Sequence, residues 1–172
     1  MPNQPEKPLE QVVTETGRYP VGAFLFVQEC LGVAADKVHG PMSPEERAVA
    51  QWVAHHALNP EELRARWDKG DLPPDIRRTI DQIGGPQRLN RHISGQQLCW
   101  AIRDVALERW GLMARGVLAR WNITRTEDIG AIIFALVDNG WLQKQPTDSL
   151  ADFHGVFSFD EAFDQAYRIE ES

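Results

Sequence analysis

The fold class is decided by residues 92–142, HISGQQLCWAIRDVALERWGLMARGVLARWNITRTEDIGAIIFALVDNGWL. Ser94 followed by Gln97 has the spacing of a capping box, which marks the start of a helix. Apolar side chains then recur every three or four residues until Gly111, a residue type that commonly ends helices. The recurring residues are Leu98, Ala101, Ile102, Val105 and Ala106. The pattern predicts an amphipathic α-helix that begins after Ser94 and closes at Gly111.

Two further helices are predicted in the same stretch. The first covers Leu112–Trp121, and its apolar residues are Leu112, Met113, Val117, Leu118 and Trp121. The next begins at Thr124 or at Thr126. With Thr124 as the cap, Glu127 takes the capping-box position; with Thr126, Glu127 and Asp128 lie in the first turn, where the helix dipole favours acids. Both starts remain open, and the apolar face consists of Ile129, Ile132, Ile133, Leu136 and Val137.

The apolar period changes after Gly140. The runs Trp141–Gln145 and Phe153–Phe159 are compatible with two strands, which predicts a β-hairpin, and Asp160–Ile169 returns to a helical pattern. Residues 92–172 thus have the order helix, helix, helix, hairpin, helix, which is winged-helix-like. The third helix argues against DNA reading, because Thr126–Asn139 has three acids and no Arg or Lys.

The N-terminal part of the chain starts with a Pro-rich stretch, residues 1–8, which we expect to fray. A short helix is predicted over Leu9–Glu15. Pro20 suits the first turn of another helix that reaches about Leu31, with Gly32 just past its end. This helix carries many apolar residues, so we expect it to be largely buried.

Residues 41–90 contain three punctuated helical segments. Ser43 and Asn59 are each followed by Pro and, at the third helical position, by Glu, so each predicts a capping box with Pro at the first helical position. The helix after Ser43 is expected to reach about Leu58, and a third helix fits Pro74–Ile83. The expected inner residues are Trp52, Leu58, Leu63, Trp67, Ile76 and Ile80.

Length and composition are those of an ordinary globular protein. The chain has 172 residues, of which 42% are hydrophobic, and this predicts one mainly α-helical domain over residues 1–172 with a small C-terminal β-hairpin. No apolar run is long enough for a membrane span, and the N-terminus lacks the pattern of a secretory signal. Two cysteines cannot make a disulfide framework. The simplest expected location is the cytoplasm.

Charge is unevenly distributed along an acidic chain. The net charge is −7, yet residues 88–125 hold seven Arg, no Lys and two acids, while residues 138–172 hold two basic and eight acidic residues. One interpretation is that the Arg-rich segment pairs with the acidic tail of the same molecule. The other is an exposed anion-binding patch, since Arg suits planar contacts with carboxylate or phosphate.

Three stretches of the chain resemble a family of small, uncharacterised bacterial proteins. They are residues 18–31 (RYPVGAFLFVQECL), residues 92–142, and residues 148–163 (DSLADFHGVFSFDEAF). The pattern combines a YP-start helix, SGQ-L-IR-AL-G, MA-VL-W, TEDIG-I-F-LV-G and DF-FxFDEAF, over about half of the chain. The resemblance implies no activity and no functional residues. In the resembling family the YP-start helix and the SGQ helix are joined by a shorter polar link, so residues 41–90 are interpreted as a helical insert or elaboration between them.

No catalytic or cofactor-binding arrangement is visible in the sequence. His55 and His56 are adjacent on a predicted helix, so their side chains point about 100° apart and do not suit one metal ion. Cys30 and Cys99 lie on apolar helix faces, as buried thiols usually do. We therefore predict no cofactor and no metal site. We also expect the protein to bind a partner rather than to act as an enzyme.

The leading hypothesis is a non-enzymatic protein-interaction or assembly module, with a protein partner or self-association. Trp and Arg are typical anchors of protein interfaces, and the candidate contact residues are Trp100, Arg103, Arg109, Arg115 and Arg120. The hypothesis requires that these side chains are neither buried nor fully paired within the chain. One alternative is a winged-helix-like nucleic-acid binder that uses Arg88–Arg125; the other is an enzyme whose His and carboxylate site is not visible in the sequence.

Overall fold

The computed structural model describes residues 7–142 and 149–165, and this part of the chain is mainly helical. Its eight α-helices are α1 (Leu9–Thr16), α2 (Val21–His39), α3 (Pro44–His55), α4 (Pro60–Lys69), α5 (Pro74–Ile83), α6 (Gly95–Trp110), α7 (Ala114–Arg120) and α8 (Thr126–Asp138). Short 3-10 turns cover Pro86–Leu89, Gly111–Met113 and Leu150–Phe153, and a π-helical turn covers Asp160–Gln165.

The chain forms two compact units. Among the described residues, the smaller unit comprises residues 35–92, and the larger unit comprises residues 7–34, 93–142 and 149–165. The predicted helical block at 41–90 therefore falls inside the smaller unit. Acidic and basic side chains are equal in number in residues 35–92, so the net charge of −7 comes from the rest of the sequence.

Both capping boxes predicted for the smaller unit are confirmed. The Ser43 hydroxyl accepts a hydrogen bond from the Glu46 backbone N–H, and Asn59 and Glu62 make the same reciprocal pair. The helix after Ser43 ends at His55, three residues before the expected end, because Ala57 adopts a left-handed conformation with φ of 50°.

A separate hydrophobic core holds the smaller unit together. Leu58, Leu63 and Ile80 are buried in it, as the sequence predicts, and so are Val49 and Leu72. The expected inner residues Trp52, Trp67 and Ile76 are partly buried and pack against this cluster. The three short helices are thus stabilised by a shared core as well as by their caps.

Helix α2 is longer than the sequence predicts. It continues through Gly32 to His39, whereas we expected Gly32 to lie past its end. An interior Gly costs a helix only about 1 kcal/mol relative to Ala. Burial of Ala34, two residues further on, favours continuation of the helix.

The second predicted helix of the larger unit starts later than expected. Leu112 and Met113 belong to the 3-10 turn that joins α6 to α7, and α7 begins only at Ala114. Gly111 ends α6 as predicted, with φ of 52°. Because the turn redirects the chain, Leu112 and Met113 face solvent instead of extending the apolar face of α7.

The start of α8 differs from both predicted caps. The helix begins at Thr126, so Glu127 and Asp128 lie in its first turn, but neither Thr124 nor Thr126 caps it. Instead the Asp128 carboxylate reaches back and accepts hydrogen bonds from the backbone N–H groups of Thr124 and Arg125. The Thr126 hydroxyl donates to a backbone carbonyl oxygen outside the helix.

The prediction of a C-terminal β-hairpin is wrong, since the described residues contain no strand. In the second run, Phe153 ends a 3-10 turn and residues 154–158 are irregular. The backbone N–H groups of Gly155 and Val156 bond to side chains of α8, which replaces the ladder that a strand needs. In the first run, residues 143–145 lie outside the described residues.

Candidate functional site

The motif residues of the larger unit meet at Phe153. Its ring lies against Gly95 at the start of α6 and against Gly130 in α8, and it is almost fully buried. A Cβ atom at Gly130 would lie 2.9 Å from the Phe153 Cβ and Cγ, a distance that real Cβ atoms do not reach. The Thr126 hydroxyl donates a 2.6 Å hydrogen bond to the Phe153 carbonyl oxygen. The SGQ, TEDIG and DF motifs therefore form one packing site.

A second cluster of motif residues surrounds Asp128. This carboxylate is buried and accepts a 2.6 Å hydrogen bond from the Tyr19 hydroxyl, besides those from the Thr124 and Arg125 backbone. Burial raises the pKa of Asp128, but these hydrogen bonds outweigh burial and hold the pKa below its ordinary value. Burial and the Asp128 hydrogen bond also raise the pKa of Tyr19. The YP and TEDIG motifs are thus joined by a structural hydrogen-bond network.

Trp100 is the exposed aromatic side chain on α6. Trp100 is 41% exposed, and its ring contacts two neighbours. The Arg103 guanidinium carbon is 4.7 Å from the centroid of the Trp100 ring, and the Phe157 ring centroid is 4.8 Å away. Arg103 also donates two hydrogen bonds to Asp104, at 2.9 and 2.6 Å. The indole is therefore held in position while one part of it faces solvent.

An open cleft of about 500 Å³ continues from Phe157. Its lining residues are Arg115, Thr124, Arg125, Glu127, Gly155, Phe157, Ser158, Phe159 and Asp160. The Gly155 N–H donates a 2.8 Å hydrogen bond to the Glu127 carboxylate and is the main cause of its lowered pKa. We call Trp100, Arg103, Phe157 and this cleft the Trp100 surface. It combines aromatic rings with charges of both signs.

Arg115 pairs with the C-terminal segment. Its guanidinium contacts the carboxylates of Asp160 and Asp164, the latter at 2.6 Å, and both acids belong to the acidic tail. This contact is the intramolecular pairing that the charge distribution suggested as one interpretation. It also means that Arg115 shapes the cleft wall rather than presenting an unpaired charge.

Arg109 lies on the far side of α6 from Trp100. Nine residues separate Arg109 from Trp100 on α6, which places them about 180° apart around the helix. Arg109 donates two hydrogen bonds to Glu29 of α2, at 3.1 and 2.6 Å. Arg120 is exposed at the end of α7 and has no ion-pair partner among residues 7–142 and 149–165. Of the five predicted contact residues, only Trp100 and Arg103 are in contact.

The sequence reasoning missed a set of exposed apolar residues on the side of Arg109. Leu112 and Met113 are each 71% exposed, and Leu25 on α2 is 53% exposed. Helical periodicity assigned Leu112 and Met113 to a core-facing stripe. The signal that could have located them is Gly111, because a helix that closes there leaves the next two residues in a turn.

The cysteines and His56 are accounted for by burial and packing in the described residues. Cys30 and Cys99 are fully buried, as predicted, and burial raises the pKa of each thiol to about 12. His56 stacks on Trp52, with 4.2 Å between ring centroids. Within the described part of the chain, no three His, Cys, Asp or Glu side chains are placed to hold a metal ion.

Comparisons with protein-family models, with curated proteins and with solved structures find no match to this chain. The resemblance to small bacterial proteins thus rests on the motifs alone. Among the described helices, none combines the length and the apolar character that a membrane crossing requires.

Proposed function

We infer that the chain is a non-enzymatic protein-interaction module and that the Trp100 surface contacts its protein partner. The observation that carries this proposal is that Trp100 is 41% exposed while its ring contacts Arg103 and Phe157. Trp and Arg dominate the binding energy of many protein interfaces. An indole that is already ordered loses little side-chain entropy when a partner covers it.

The cleft beside Phe157 favours a polypeptide as the partner. Phe157 offers a partly exposed aromatic ring, while Arg125 and Glu127 offer a donor and an acceptor on the same lining. A peptide segment carries apolar side chains and both signs of charge, so it can satisfy all of these groups together. We also propose that the chain belongs to the family of small bacterial proteins that its motifs resemble. The residues of these motifs pack against one another or share hydrogen bonds in the fold, as a set of structural motifs would.

A nucleic-acid partner has less support. The chain has a net charge of −7, and Arg109 and Arg115 are paired with Glu29 and with Asp160 and Asp164, respectively. Phosphate binding requires unpaired cations, because affinity follows the number of phosphates neutralised. The winged-helix analogy also lacks its β-hairpin, since the residues described after α8 contain no strand.

The test is quantitative affinity capture from a lysate of the cells that make this protein. The baits are the wild-type chain, Trp100→Ala and Gln51→Ala, since Gln51 is an exposed residue of α3 that is not part of the Trp100 surface. We expect a protein that is retained by wild type and by Gln51→Ala but about tenfold depleted on Trp100→Ala. Equal capture by all three baits would refute the assignment of the contact surface.

Added nuclease separates the two partner classes in the same experiment. Retention of the captured protein after nuclease treatment supports the protein-interaction proposal. Loss of all specific capture after nuclease treatment, together with steep weakening of binding as salt rises, would favour the nucleic-acid alternative. Thermal unfolding of each bait, followed by circular dichroism, confirms that the compared chains are folded.

A further inference from the structure

The sequence contains five asparagines, and Asn139 is the one that glycine follows. The backbone nitrogen of a following residue can attack an Asn side-chain amide, because the two groups belong to one chain and close a five-membered ring. Glycine has no Cβ atom to hinder its nitrogen. The other four asparagines precede Gln, Pro, Arg or Ile, which all carry a side chain. The pair Asn139 and Gly140 is therefore the position where this reaction is least hindered.

The structure places this pair at the C-terminal end of α8. Asn139 has φ of −105° and ψ of 14°, and Gly140 follows with φ of 78°. The Gly140 N–H donates to the Val137 carbonyl oxygen at 3.1 Å, and the Trp141 N–H donates to the Leu136 carbonyl oxygen at 2.8 Å. These two bonds form a Schellman motif, whose left-handed position glycine adopts without strain.

The Asn139 side chain closes the same helix end. Its amide Nδ2 donates a 2.8 Å hydrogen bond to the carbonyl oxygen of Ala135, one turn back along α8. A donor is favourable here, because the C-terminal end of a helix carries a partial negative charge. The last turn of α8 contains no Lys, Arg or His, and Asp138 in this turn is acidic. The amide thus supplies the donor that no basic side chain of this turn provides.

We propose that Asn139 is a site of spontaneous deamidation and that closure of the α8 end controls the reaction. The deprotonated backbone nitrogen of Gly140 attacks Asn139 Cγ, a new N–Cγ bond forms, and the Cγ–Nδ2 bond breaks as Nδ2 takes up a proton and leaves as ammonia. Water then adds to one carbonyl of the cyclic imide and breaks one of its two C–N bonds. Cleavage on one side gives Asp, and cleavage on the other gives an isoaspartyl linkage. Water is the only co-reactant.

Both reacting groups are occupied while the helix end is closed. The Asn139 amide bonds to Ala135, and the Gly140 nitrogen donates its hydrogen to Val137. Attack requires Gly140 to lose that hydrogen and Asn139 to turn its side chain toward Gly140, so both bonds must open first. Helix ends open locally while the rest of the chain stays folded. The native chain is therefore expected to deamidate, and more slowly than the unfolded chain.

The product reverses the chemistry of this helix end. A carboxylate at position 139 accepts hydrogen bonds and cannot donate to the Ala135 carbonyl oxygen. Its charge lies next to Asp138 at the negative end of the helix. An isoaspartyl linkage also lengthens the backbone between Ala135 and Trp141. The Trp141 indole N–H donates a 3.0 Å hydrogen bond to the Lys7 carbonyl oxygen, so the change acts on the attachment of the N-terminal segment as well.

The first test is peptide mapping by mass spectrometry while the full chain is incubated at neutral and at mildly alkaline pH. We expect loss of the peptide with intact Asn139 and appearance of its aspartyl and isoaspartyl forms. The loss should be faster at the higher pH, because the Gly140 nitrogen reacts after it has lost its proton. Asn90 and Asn122 are internal references, since both are exposed and neither precedes glycine. Conversion of either reference before Asn139 would overturn the proposal.

A comparison of native and unfolded chain tests the control by the helix end. The rate at Asn139 is measured in buffer and in guanidinium chloride above the unfolding transition. We expect the faster rate in guanidinium chloride, where the bonds to Ala135 and Val137 are absent. Equal rates would contradict control by α8. If Asn139 stays intact in the native chain until the unfolded chain has converted completely, the native chain has no deamidation site there.

Asn139→Asp reproduces one product and tests its effect on the fold. We expect its midpoint of thermal unfolding to lie roughly 2–4 °C below that of wild type, because a donor is lost and a negative charge is added at the helix end. Asn90→Asp is the matched control, since it adds the same charge at an exposed position outside α8. Equal midpoints for Asn139→Asp and Asn90→Asp would refute the role of the amide in closing the helix.

Discussion

Substitution of Gly130 by Ala tests the central packing argument. An Ala Cβ at this position would lie 2.9 Å from the Cβ and Cγ atoms of Phe153, which are close to the backbone and cannot move independently of it. Overpacking of this kind costs about 1–3 kcal/mol. Ala also forms helix better than Gly by about 1 kcal/mol, which opposes the loss.

Gly32→Ala separates these two contributions. Gly32 also lies within a helix of the larger unit. Apart from its chain neighbours and the nearby α2 backbone, no atom lies within 4 Å of the methyl carbon that Ala would add there. This control should gain the helix-propensity contribution, about 1 kcal/mol, without the contact penalty. The difference in unfolding free energy between the two variants therefore isolates the contact, and we expect about 1–3 kcal/mol in favour of Gly32→Ala.

The assay is urea unfolding followed by far-ultraviolet circular dichroism, with thermal unfolding as a second readout. The expected difference corresponds to roughly 2–12 °C in midpoint for a chain of this size. In a Phe153→Ala background the Gly130→Ala penalty should shrink, because the Phe153 Cγ and ring atoms are absent. Equal stability of Gly130→Ala and Gly32→Ala in the wild-type background would refute the reasoning.

Three further predictions concern single groups. The lowered pKa of Asp128 means that its contribution to stability is present above its unfolded pKa, about 3.9, and is lost as pH falls through the folded value. Urea unfolding should thus show Asp128→Asn to be less stable at neutral pH by about 1–3 kcal/mol, with the gap narrowing in acid; a gap independent of pH contradicts this account. Cys30 and Cys99 should react with a thiol reagent only after denaturation, and fast labelling of the native chain would disagree with their burial. Arg115→Ala should change the unfolding free energy by less than about 1 kcal/mol, because its ion pairs are exposed; calorimetry showing a larger loss would contradict that expectation.

The candidate surfaces could be predicted only in part. Trp100 and Arg103 are three residues apart on one helix, so helical geometry alone brings them together. Phe157 and the cleft reach Trp100 from a distant part of the chain, and no local pattern indicates this contact. The exposure of Leu112 and Met113 was missed because a helical period was extended across Gly111.

The sequence by itself determined the helical character of the chain and the starts of α3, α4 and α6. Those starts depend on capping boxes at Ser43, Asn59 and Ser94, whose partners lie three residues away and are readable locally. Only the tertiary structure decided the conformation of Phe153–Phe159, whose apolar spacing is compatible with a strand. Phe153 packs against the glycines of α6 and α8. Side chains of α8 accept the hydrogen bonds of the backbone N–H groups of residues 155 and 156. Burial against distant residues outweighed local propensity, because β preference depends on the neighbours that a strand finds.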